Sequence, residues 1–325
     1  MAEPGLPLPP RFIVITPVRN EEQYLPRTIA SMCLQTLKPS RWVLVDDGSE
    51  DKTGELVEAA ATQHPWISVV RRQDRGFRQA GGVVAAFHDG YALVANDTWD
   101  YVVKLDGDLS FAPDYFQNCL REFDADPKLG IAGGTICKLE NGAMTPEFKV
   151  EPPFHVRGAT KIYRRDCFEA IGGLMPAPGW DTVDQLKANM LGWRTRAFSH
   201  IHLVHLRPTG AAYGSWKDAV KNGLANYITG YHPLFMATKC LRRMVRKPCD
   251  VEGPGLWFGF IQGYLQRIPQ VEDRTMIRYL RQQQWRALTF RSNLWRPVPA
   301  TIDRADGGAA RGGVASKSRE RDALL

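Results

Sequence analysis

The sequence contains few cysteines and no long apolar run. Six cysteines in 325 residues, with no C-x-x-C pair, are far below the density of a disulfide-stapled domain. The most apolar stretch, residues 256–265, falls well short of the ~20 residues that a membrane-spanning helix needs. Residues 1–10 are rich in proline and lack the basic and apolar segments of a signal peptide. We therefore expect a reduced, cytoplasmic protein with no transmembrane segment and no signal peptide.

Two glycine-rich nucleotide-binding motifs are absent as well. After the first apolar run the chain reads T-P-V-R-N, where a dehydrogenase would carry G-x-G-x-x-G and a sugar nucleotidyltransferase would carry a G-x-G-x-R loop. The sequence also has no internal repeat at the spacing of a solenoid. These absences argue against a dehydrogenase and a repeat protein, and they leave a sugar nucleotidyltransferase as a weaker alternative.

Acidic residues are fewer than basic ones. Lysine and arginine number 42 against 35 aspartates and glutamates, so the formal net charge is +7. A surface with this excess attracts anions such as nucleotides, nucleic acid or acidic lipid headgroups. A non-enzymatic polyanion or nucleic-acid-binding protein would explain the charge, but it would leave acidic motifs at predicted strand ends unexplained. We therefore expect no nucleic acid partner and keep this binder as an alternative.

What is present indicates an α/β fold. Short β-rich apolar runs alternate with helix-compatible segments; the runs are residues 12–16, 42–47, 67–70, 101–108 and 131–136. Apolar strands separated by helices predict βαβ units and a mostly parallel sheet covered on both faces. Ligands of such sheets bind at the carboxyl ends of the strands, so polar residues at those ends are the first candidates for a site.

Two acidic motifs follow predicted buried strands. Asp106 and Asp108 are separated by one glycine, so both carboxylates can point the same way and share a divalent cation with phosphate oxygens. Asp46 and Asp47 end another strand, where a carboxylate can accept a hydrogen bond from a nucleobase or ribose. Turn formation is the structural alternative for both motifs.

Three motifs in register carry a family resemblance. T-P-V-R-N-E-E at 16–22, V-D-D-G-S-E-D-K-T at 45–53 and K-L-D-G-D at 104–108 resemble the family 2 glycosyltransferases with the GT-A fold. The resemblance implies a Rossmann-like nucleotide-binding sheet and inverting transfer of a sugar from a UDP-, dTDP- or GDP-sugar, dependent on Mg²⁺ or Mn²⁺.

The resemblance also implies roles for individual residues. Matched to the family motifs, the nucleotide-binding residues are Thr16, Pro17, Asp46, Asp47 and Asp106, and the metal ligands are Asp106 and Asp108. The loop D-R-G-F-R-Q-A-G-G at 74–82 departs from the family pattern, since Gly81 and Gly82 stand where Arg and Asn are usual. We list Arg78 in this loop as a phosphate contact, with a solvated surface arginine as the alternative.

Inverting transfer needs a carboxylate that takes the proton from the acceptor hydroxyl. The segment G-W-D-T-V-D-Q-L-K-A-N-M-L-G-W, residues 179–193, resembles the family's catalytic helix. Alignment from Gly192 places Asp181 on the catalytic aspartate and Trp180 where a glutamate is usual. Asp181 is therefore the predicted base, Asp184 is its rival, and capping of the helix by Asp181 is the alternative.

The strand-like segment 200–208 contains three histidines. His200 and His202 share a strand face that excludes His205, which is poor geometry for zinc. A downstream histidine lies near the metal in some GT-A enzymes, so the resemblance suggests His205 as a metal ligand. Arg207 is a further phosphate contact.

The domain organisation follows from these assignments. We expect a GT-A domain over 11–205, with a nucleotide-sugar-binding half at 11–134 and an acceptor half at 135–205. A basic, aromatic helical extension covers 206–300, and 301–325 form a disordered tail.

The basic extension suits an acidic membrane surface. Apolar and cationic residues alternate over 231–247, and polybasic segments gain about 1 kcal/mol per Lys or Arg at such a surface. This favours peripheral contact with the inner face of the cytoplasmic membrane and a lipid-linked or polysaccharide acceptor. A helical cap on the GT-A domain is the alternative. The Q-x-x-R-W signature of processive synthases is not reproduced at 282–286, so we expect transfer of a single sugar.

Overall fold

The computed structural model describes residues 10–73, 82–140, 142–147, 151–176, 178–207, 215–246 and 252–296. The strands are β1 (Phe12–Val18), β2 (Arg41–Asp46), β3 (Ile67–Arg71), β4 (Tyr101–Leu105), β5 (Leu109–Phe111), β6 (Leu129–Glu140), β7 (Ala143–Pro146), β8 (Thr160–Arg164) and β9 (Arg194–His205). The helices are α1 (Leu25–Cys33), α2 (Thr53–Gln63), α3 (Gly82–Val94), α4 (Tyr115–Ala125), α5 (Arg165–Ala170), α6 (Trp180–Met190), α7 (Ser215–Ile228), α8 (Pro233–Arg246), α9 (Glu252–Leu265) and α10 (Arg274–Leu288).

The strands form one sheet in the order β3-β2-β1-β4-β8-β6-β9-β5, with β7 paired to β6. β1, β2, β3 and β4 pair in parallel, as their apolar sequences predict. Beyond β4 the sheet is mixed, because β8 runs antiparallel to both β4 and β6 while β6 and β9 are parallel. Antiparallel strands need no crossover helix, so the sheet beyond β4 differs from the repeated βαβ pattern expected from the sequence.

Alternate residues of β1 face opposite sides of the sheet, and both sides are covered. Phe12 and Val14 pack with α1, α2 and α4, whereas Ile13 and Ile15 pack with α3 and α5. All four side chains are fully buried. Burial on both faces explains why β1, β2 and β4 read as continuous apolar runs instead of alternating patterns.

The helices after residue 214 form a third layer. Val183 and Leu186 of α6 share an apolar cluster with residues of α7, α8, α9 and α10, so α6 joins the sheet to this extension. The helical character predicted for the extension is confirmed within the described residues. No helix in this part of the chain is long and apolar enough to cross a bilayer. The predicted tail, 301–325, lies outside the described residues.

Helices α7 and α9 approach each other at backbone distance. A Cβ added to Gly259 would lie 2.0 Å from the carbonyl oxygen of Val220, and one added to Gly223 would lie 2.1 Å from that of Leu256. Only glycine allows this separation, because any side chain would push the two backbones apart. The contact turns the opposite face of α9 away from α7.

We predict that Gly259→Ala destabilises the protein. In an isolated helix this change is favourable by up to about 1 kcal/mol. Here overpacking against α7 should instead lower the free energy of unfolding by about 1–3 kcal/mol, measured by urea denaturation. Gln262→Ala on the same helix is the control, and a stabilising effect of Gly259→Ala would show that α7 and α9 do not pack in this way.

Candidate active site

The polar residues predicted at the strand ends meet along one edge of the sheet. Val18 pairs with Asp46, and the main-chain amide of Asp47 donates to the carbonyl of Val18 at 2.9 Å. Asp106 directly follows β4, the other neighbour of β1. The carboxyl ends of β1, β2 and β4 thus bring Pro17, Asp46, Asp47 and Asp106 to the same edge, as the parallel topology requires.

The loops after β1 and β2 hold each other in place through side-chain to backbone hydrogen bonds. The amide of Asn20 donates to Ser49 Oγ at 3.1 Å, and the amide of Glu21 donates to Thr53 Oγ1 at 2.7 Å. Asp51 accepts from the amides of Thr53 and Glu22. Ser49 therefore joins the two loops, and Asp51 satisfies an amide in the first turn of α2.

The two aspartates that end β2 have different surroundings. Asp46 is buried, and its Oδ1 accepts from the amide of Ser49 at 2.9 Å, which shapes the turn. Asp47 Oδ1 lies 2.5 Å from Arg72 Nη1, and the same guanidinium contacts Asp89 at 2.7 Å. The Asp47 carboxylate is partly exposed, so it is the more accessible of the two for a ligand.

Thr16 and Pro17, both in β1, differ in accessibility. Thr16 is fully buried, and its hydroxyl accepts a hydrogen bond from the indole of Trp42 at 2.9 Å. The Thr16 side chain therefore belongs to the core, and a ligand at the sheet edge would meet its backbone only. Pro17 is partly exposed.

Asp106 pairs with a buried lysine. Lys104 Nζ contacts Asp106 Oδ1 and donates to the carbonyl of Gly158 at 2.7 Å. The main-chain amide of Asp106 donates to the carbonyl of Ala159 at 2.8 Å. Burial raises the pKa of Asp106, and the charge of Lys104 opposes that rise. Segment 158–159 and Lys104 together orient this carboxylate.

Two cationic side chains contact Asp108. Its Oδ2 is 3.3 Å from His205 Nε2 and 3.1 Å from Arg207 Nη2. Although burial raises the pKa of Asp108, the hydrogen bonds and charges of His205 and Arg207 lower it below its usual value. Glu147 contacts the other ring nitrogen of His205 at 3.3 Å. Burial lowers the pKa of His205, but the two carboxylates outweigh it and raise that pKa to about 9.

Glu21 is a site residue that the sequence analysis did not single out. It is buried, its Oε1 contacts Arg207, and burial together with the charge of Asp108 raises its pKa to about 7. Glu21 lies within the T-P-V-R-N-E-E motif, so its place in that motif was an available signal.

The carboxylate oxygens at this edge suit a divalent cation whose coordination shell is completed by a bound substrate. Asp108 Oδ1 and Glu21 Oε2 are buried and have no hydrogen-bond partner among the described residues. No group of three or more His, Cys, Asp or Glu side chains in this part of the chain is arranged to hold a metal alone. Mg²⁺ typically takes one or two carboxylates and completes its shell with substrate phosphates, so this donor set is chemically suitable.

His205 lies beside Asp108, and both of its ring nitrogens face carboxylates. In this arrangement His205 serves mainly as a hydrogen-bond partner of Asp108, because both of its ring nitrogens are engaged. His200 is exposed and contacts Glu122 at 3.1 Å, and His202 is exposed on the same strand. Arg78 lies outside the described residues.

Asp181 lies in the first turn of α6, beside segment 158–159. The N-cap of α6 is Gly179, so Asp181 is not the capping residue. A Cβ added to Gly158 would lie 3.3 Å from Asp181 Cβ, and Asp106 bonds to the neighbouring Ala159. Asp181 and Asp106 therefore both border this short segment. The ring of Trp180 contacts both Lys104 and Lys161, with centroid distances of 5.5 and 5.3 Å.

Asp184, the rival base, is enclosed in the protein interior. Lys161 Nζ lies 2.8 Å from its Oδ2, and the hydroxyl of Tyr163 donates to the same oxygen at 2.5 Å. Burial raises the pKa of Asp184, and Lys161 and Tyr163 oppose that rise. Lys161 also donates to the carbonyl of Asp181 at 2.5 Å. The sequence did not identify Lys161 and Tyr163 as partners of Asp184, because a lysine in a strand usually indicates an exposed face.

A family model covers most of this site. Residues 13–171 match the model described as Glycosyl transferase family 2. The chain therefore carries a glycosyl transferase family 2 domain. This match confirms the family predicted from the three motifs, and it favours a glycosyltransferase over the nucleotidyltransferase and polyanion-binding alternatives.

Two relatives with curated names align with parts of this chain. An undecaprenyl-phosphate 4-deoxy-4-formamido-L-arabinose transferase from Pectobacterium carotovorum subsp. carotovorum (strain PC1) is 35% identical over 105 residues, covering 31% of this chain and 30% of the relative. Chondroitin synthase from Pasteurella multocida (strain Pm70) is 26% identical over 149 residues, covering 44% of this chain and 14% of the relative. The aligned parts span less than a third of either relative.

Solved structures support the GT-A fold of this chain. Mannosyltransferase PcManGT from Pyrobaculum calidifontis, in complex with GDP-Man and Mn²⁺, has a TM-score of 0.51 at 19% identity and covers 86% of this chain and 75% of its own. S. aureus TarS 1–349, in complex with UDP-GlcNAc, also has a TM-score of 0.51 at 19% identity, covering 87% and 93%. The predicted fold is confirmed.

We predict that Lys161→Met is strongly destabilising, because it leaves the buried Asp184 carboxylate unpaired. Breaking a buried ion pair in this way costs about 3–5 kcal/mol of the free energy of unfolding. The double variant Lys161→Met/Asp184→Leu should recover part of that loss, since both charges are removed. Both are measured by urea denaturation.

Lys138→Met is the matched control for this experiment. Lys138 pairs with Glu140 on the protein surface, where removing one partner costs about 1 kcal/mol or less. If Lys161→Met were as mild as this control, the Lys161–Asp184 pair would have no structural importance.

Proposed function

We propose that this chain is a metal-dependent inverting glycosyltransferase that moves a single sugar from a nucleoside-diphosphate sugar to a hydroxyl of a lipid-linked or polysaccharide acceptor. One observation carries the proposal. Asp106, within the family 2 match, and Asp181, beyond its end, border the same segment at the carboxyl edge of the sheet. This arrangement gives one carboxylate to the donor side and a second to the acceptor side.

The donor is assigned to the ends of β1 and β2. Asp47 is partly exposed there, and Asp46 shapes the turn beside it, so Asp47 is the carboxylate that would accept hydrogen bonds from the base or ribose. Pro17 and the backbone of Thr16 would line the same edge. The names of the two structural neighbours include GDP-Man and UDP-GlcNAc, which supports a nucleotide sugar as the donor class.

Asp106 and Asp108 are the proposed ligands of Mg²⁺ or Mn²⁺, with Glu21 beside them. The unpartnered oxygen of Asp108 supports this assignment, as does the Mn²⁺ in the PcManGT complex. When bound, such an ion neutralises charge on a diphosphate leaving group. Lys104 orients Asp106, and His205 and Arg207 hold Asp108 in its charged form.

Asp181 is the proposed base. It borders segment 158–159, which also contacts Asp106, and it is partly exposed, so an acceptor hydroxyl can approach it. Its task is to accept the proton of that hydroxyl while the oxygen forms a bond to the sugar and the diphosphate departs. Asp184 cannot serve an acceptor in this geometry, because both of its oxygens already accept hydrogen bonds in the interior. Asp184 is assigned to the support of α6.

The acceptor class is inferred from the names of the aligned relatives. The aligned Pectobacterium relative is named for undecaprenyl phosphate, and the Pasteurella relative is named as a polysaccharide synthase. These names support a lipid-linked or polysaccharide acceptor. Transfer of one sugar per acceptor and a cytoplasmic location stay predictions. A ladder of products from one acceptor would contradict the first.

Replacing the base should separate chemistry from donor binding. Asp181→Asn should reduce the transfer rate by about 10²–10⁴-fold, since it removes the proton acceptor. Nucleotide affinity should stay within a factor of about two, because the change acts on the transition state. The assay follows release of nucleoside diphosphate with an undecaprenyl-linked monosaccharide as acceptor probe.

Glu55→Gln is the control for this test, because Glu55 is an acidic residue in the first turn of α2. If a folded Asp184→Asn variant were inactive while Asp181→Asn transferred sugar normally, the assignment of the base would be wrong.

A calorimetric titration tests the metal and the donor together. UDP, dTDP and GDP are titrated in turn with Mn²⁺ and again with EDTA, and one of them should bind only with the metal. Asp108→Asn should remove most of that dependence. Asp97→Asn, before β4 at the opposite edge of the sheet, should not. If none of the three binds to folded protein, the proposed function fails and the polyanion-binding alternative is tested next.

A further inference from the structure

An apolar groove lies among α7, α8 and α9. Its volume is about 570 Å³, and it is lined by apolar side chains and one cysteine. Trp216 of α7, Leu241 and Met244 of α8, and Trp257 and Phe258 of α9 form its walls. These five side chains are between 37% and 60% exposed, so the groove opens to the surface. Exposed apolar patches of this kind mark interaction sites.

The groove is a built feature of the helical layer. Gly259 fixes α9 against α7 at backbone distance, which leaves the opposite face of α9 pointing outward. The rings of Trp216 and Phe258 lie 6.0 Å apart across the two helices. Tyr264 and Leu265 extend the exposed apolar face by two further turns of α9.

Positive charge surrounds this apolar face. The three helices contain six lysines and arginines but only two acids, Asp218 and Glu252, a difference of +4. Lys217 follows Trp216 and Arg242 follows Leu241 in the chain, whereas Arg243 pairs with Glu252 and Lys239 packs over the ring of Tyr231. Cationic residues therefore adjoin the walls of the groove at both α7 and α8.

We propose that this face docks on an anionic lipid bilayer, with the groove taking up a hydrocarbon chain and the adjoining cations contacting lipid phosphates. The positive charge favours a bilayer as the partner, because interfacial helices combine cationic residues with tryptophan and other apolar side chains. Anionic headgroups attract such cations, and the apolar interior of the bilayer takes up apolar side chains that would otherwise be exposed to water. The inference goes beyond the proposed reaction and does not depend on it.

Vesicle binding by the full chain, without nucleotide, tests this proposal. The protein should co-sediment with vesicles of phosphatidylcholine and phosphatidylglycerol, and more weakly with phosphatidylcholine alone. Added salt should reduce the difference. Phe258→Ser should weaken binding by about tenfold or more, since a phenylalanine no longer enters the bilayer. Leu34→Ser, the same kind of change at a 68% exposed residue after α1, should have no effect.

Tryptophan fluorescence gives a second measurement. Brominated lipids should quench the emission of the wild-type protein, and Trp257→Phe should reduce the quenched fraction. Three binding results would overturn the proposal. They are absence of binding to anionic vesicles by folded protein, equal binding of Phe258→Ser, and binding of undecaprenyl phosphate in detergent micelles without any binding to vesicles. A dimer that Phe258→Ser dissociates would identify the face as an interface between copies and would overturn it equally.

Discussion

The buried ion pair between Lys161 and Asp184 joins the sheet to everything that packs beyond it. Lys161 lies in β8 and Asp184 in α6, and neither side chain reaches solvent. Both charges lose their hydration, so the pair persists only because Tyr163 and the backbone supply the remaining hydrogen bonds. Since α6 also carries Asp181 and the apolar contacts to α7–α10, this interaction determines where α6 and the extension lie relative to the sheet.

Three aspartates at the sheet edge, Asp47, Asp106 and Asp108, have cationic partners. Asp47 contacts Arg72, Asp106 contacts Lys104, and Asp108 contacts His205 and Arg207. Buried carboxylates without such partners would be protonated or would destabilise the fold. The partners keep the carboxylates oriented and leave single oxygens, such as Asp108 Oδ1, directed at the site.

Much of the site could be predicted because its residues follow buried strands. An apolar run that ends in aspartate places Asp46 and Asp106 at the ligand-binding edge of any parallel sheet, whatever the details of packing. The choice between Asp181 and Asp184 could not be made in this way. They are three residues apart at the start of one helix, so local spacing treats them alike. Only the approach of β8, with Lys161 and Tyr163, distinguishes a buried structural aspartate from an accessible one.

The sequence by itself determined the α/β elements of the nucleotide-binding half and its acidic strand ends, because periodicity and strand termination are local properties of the chain. The tertiary structure alone decided the mixed order β4-β8-β6-β9, the pairing of Asp108 with His205, and the core position of the Thr16 hydroxyl. It also decided that the apolar residues of α7, α8 and α9 line one groove, since their common face arises from the backbone contact at Gly259. Contacts between residues far apart in sequence depend on which surfaces bury each other, and no local pattern specifies that choice.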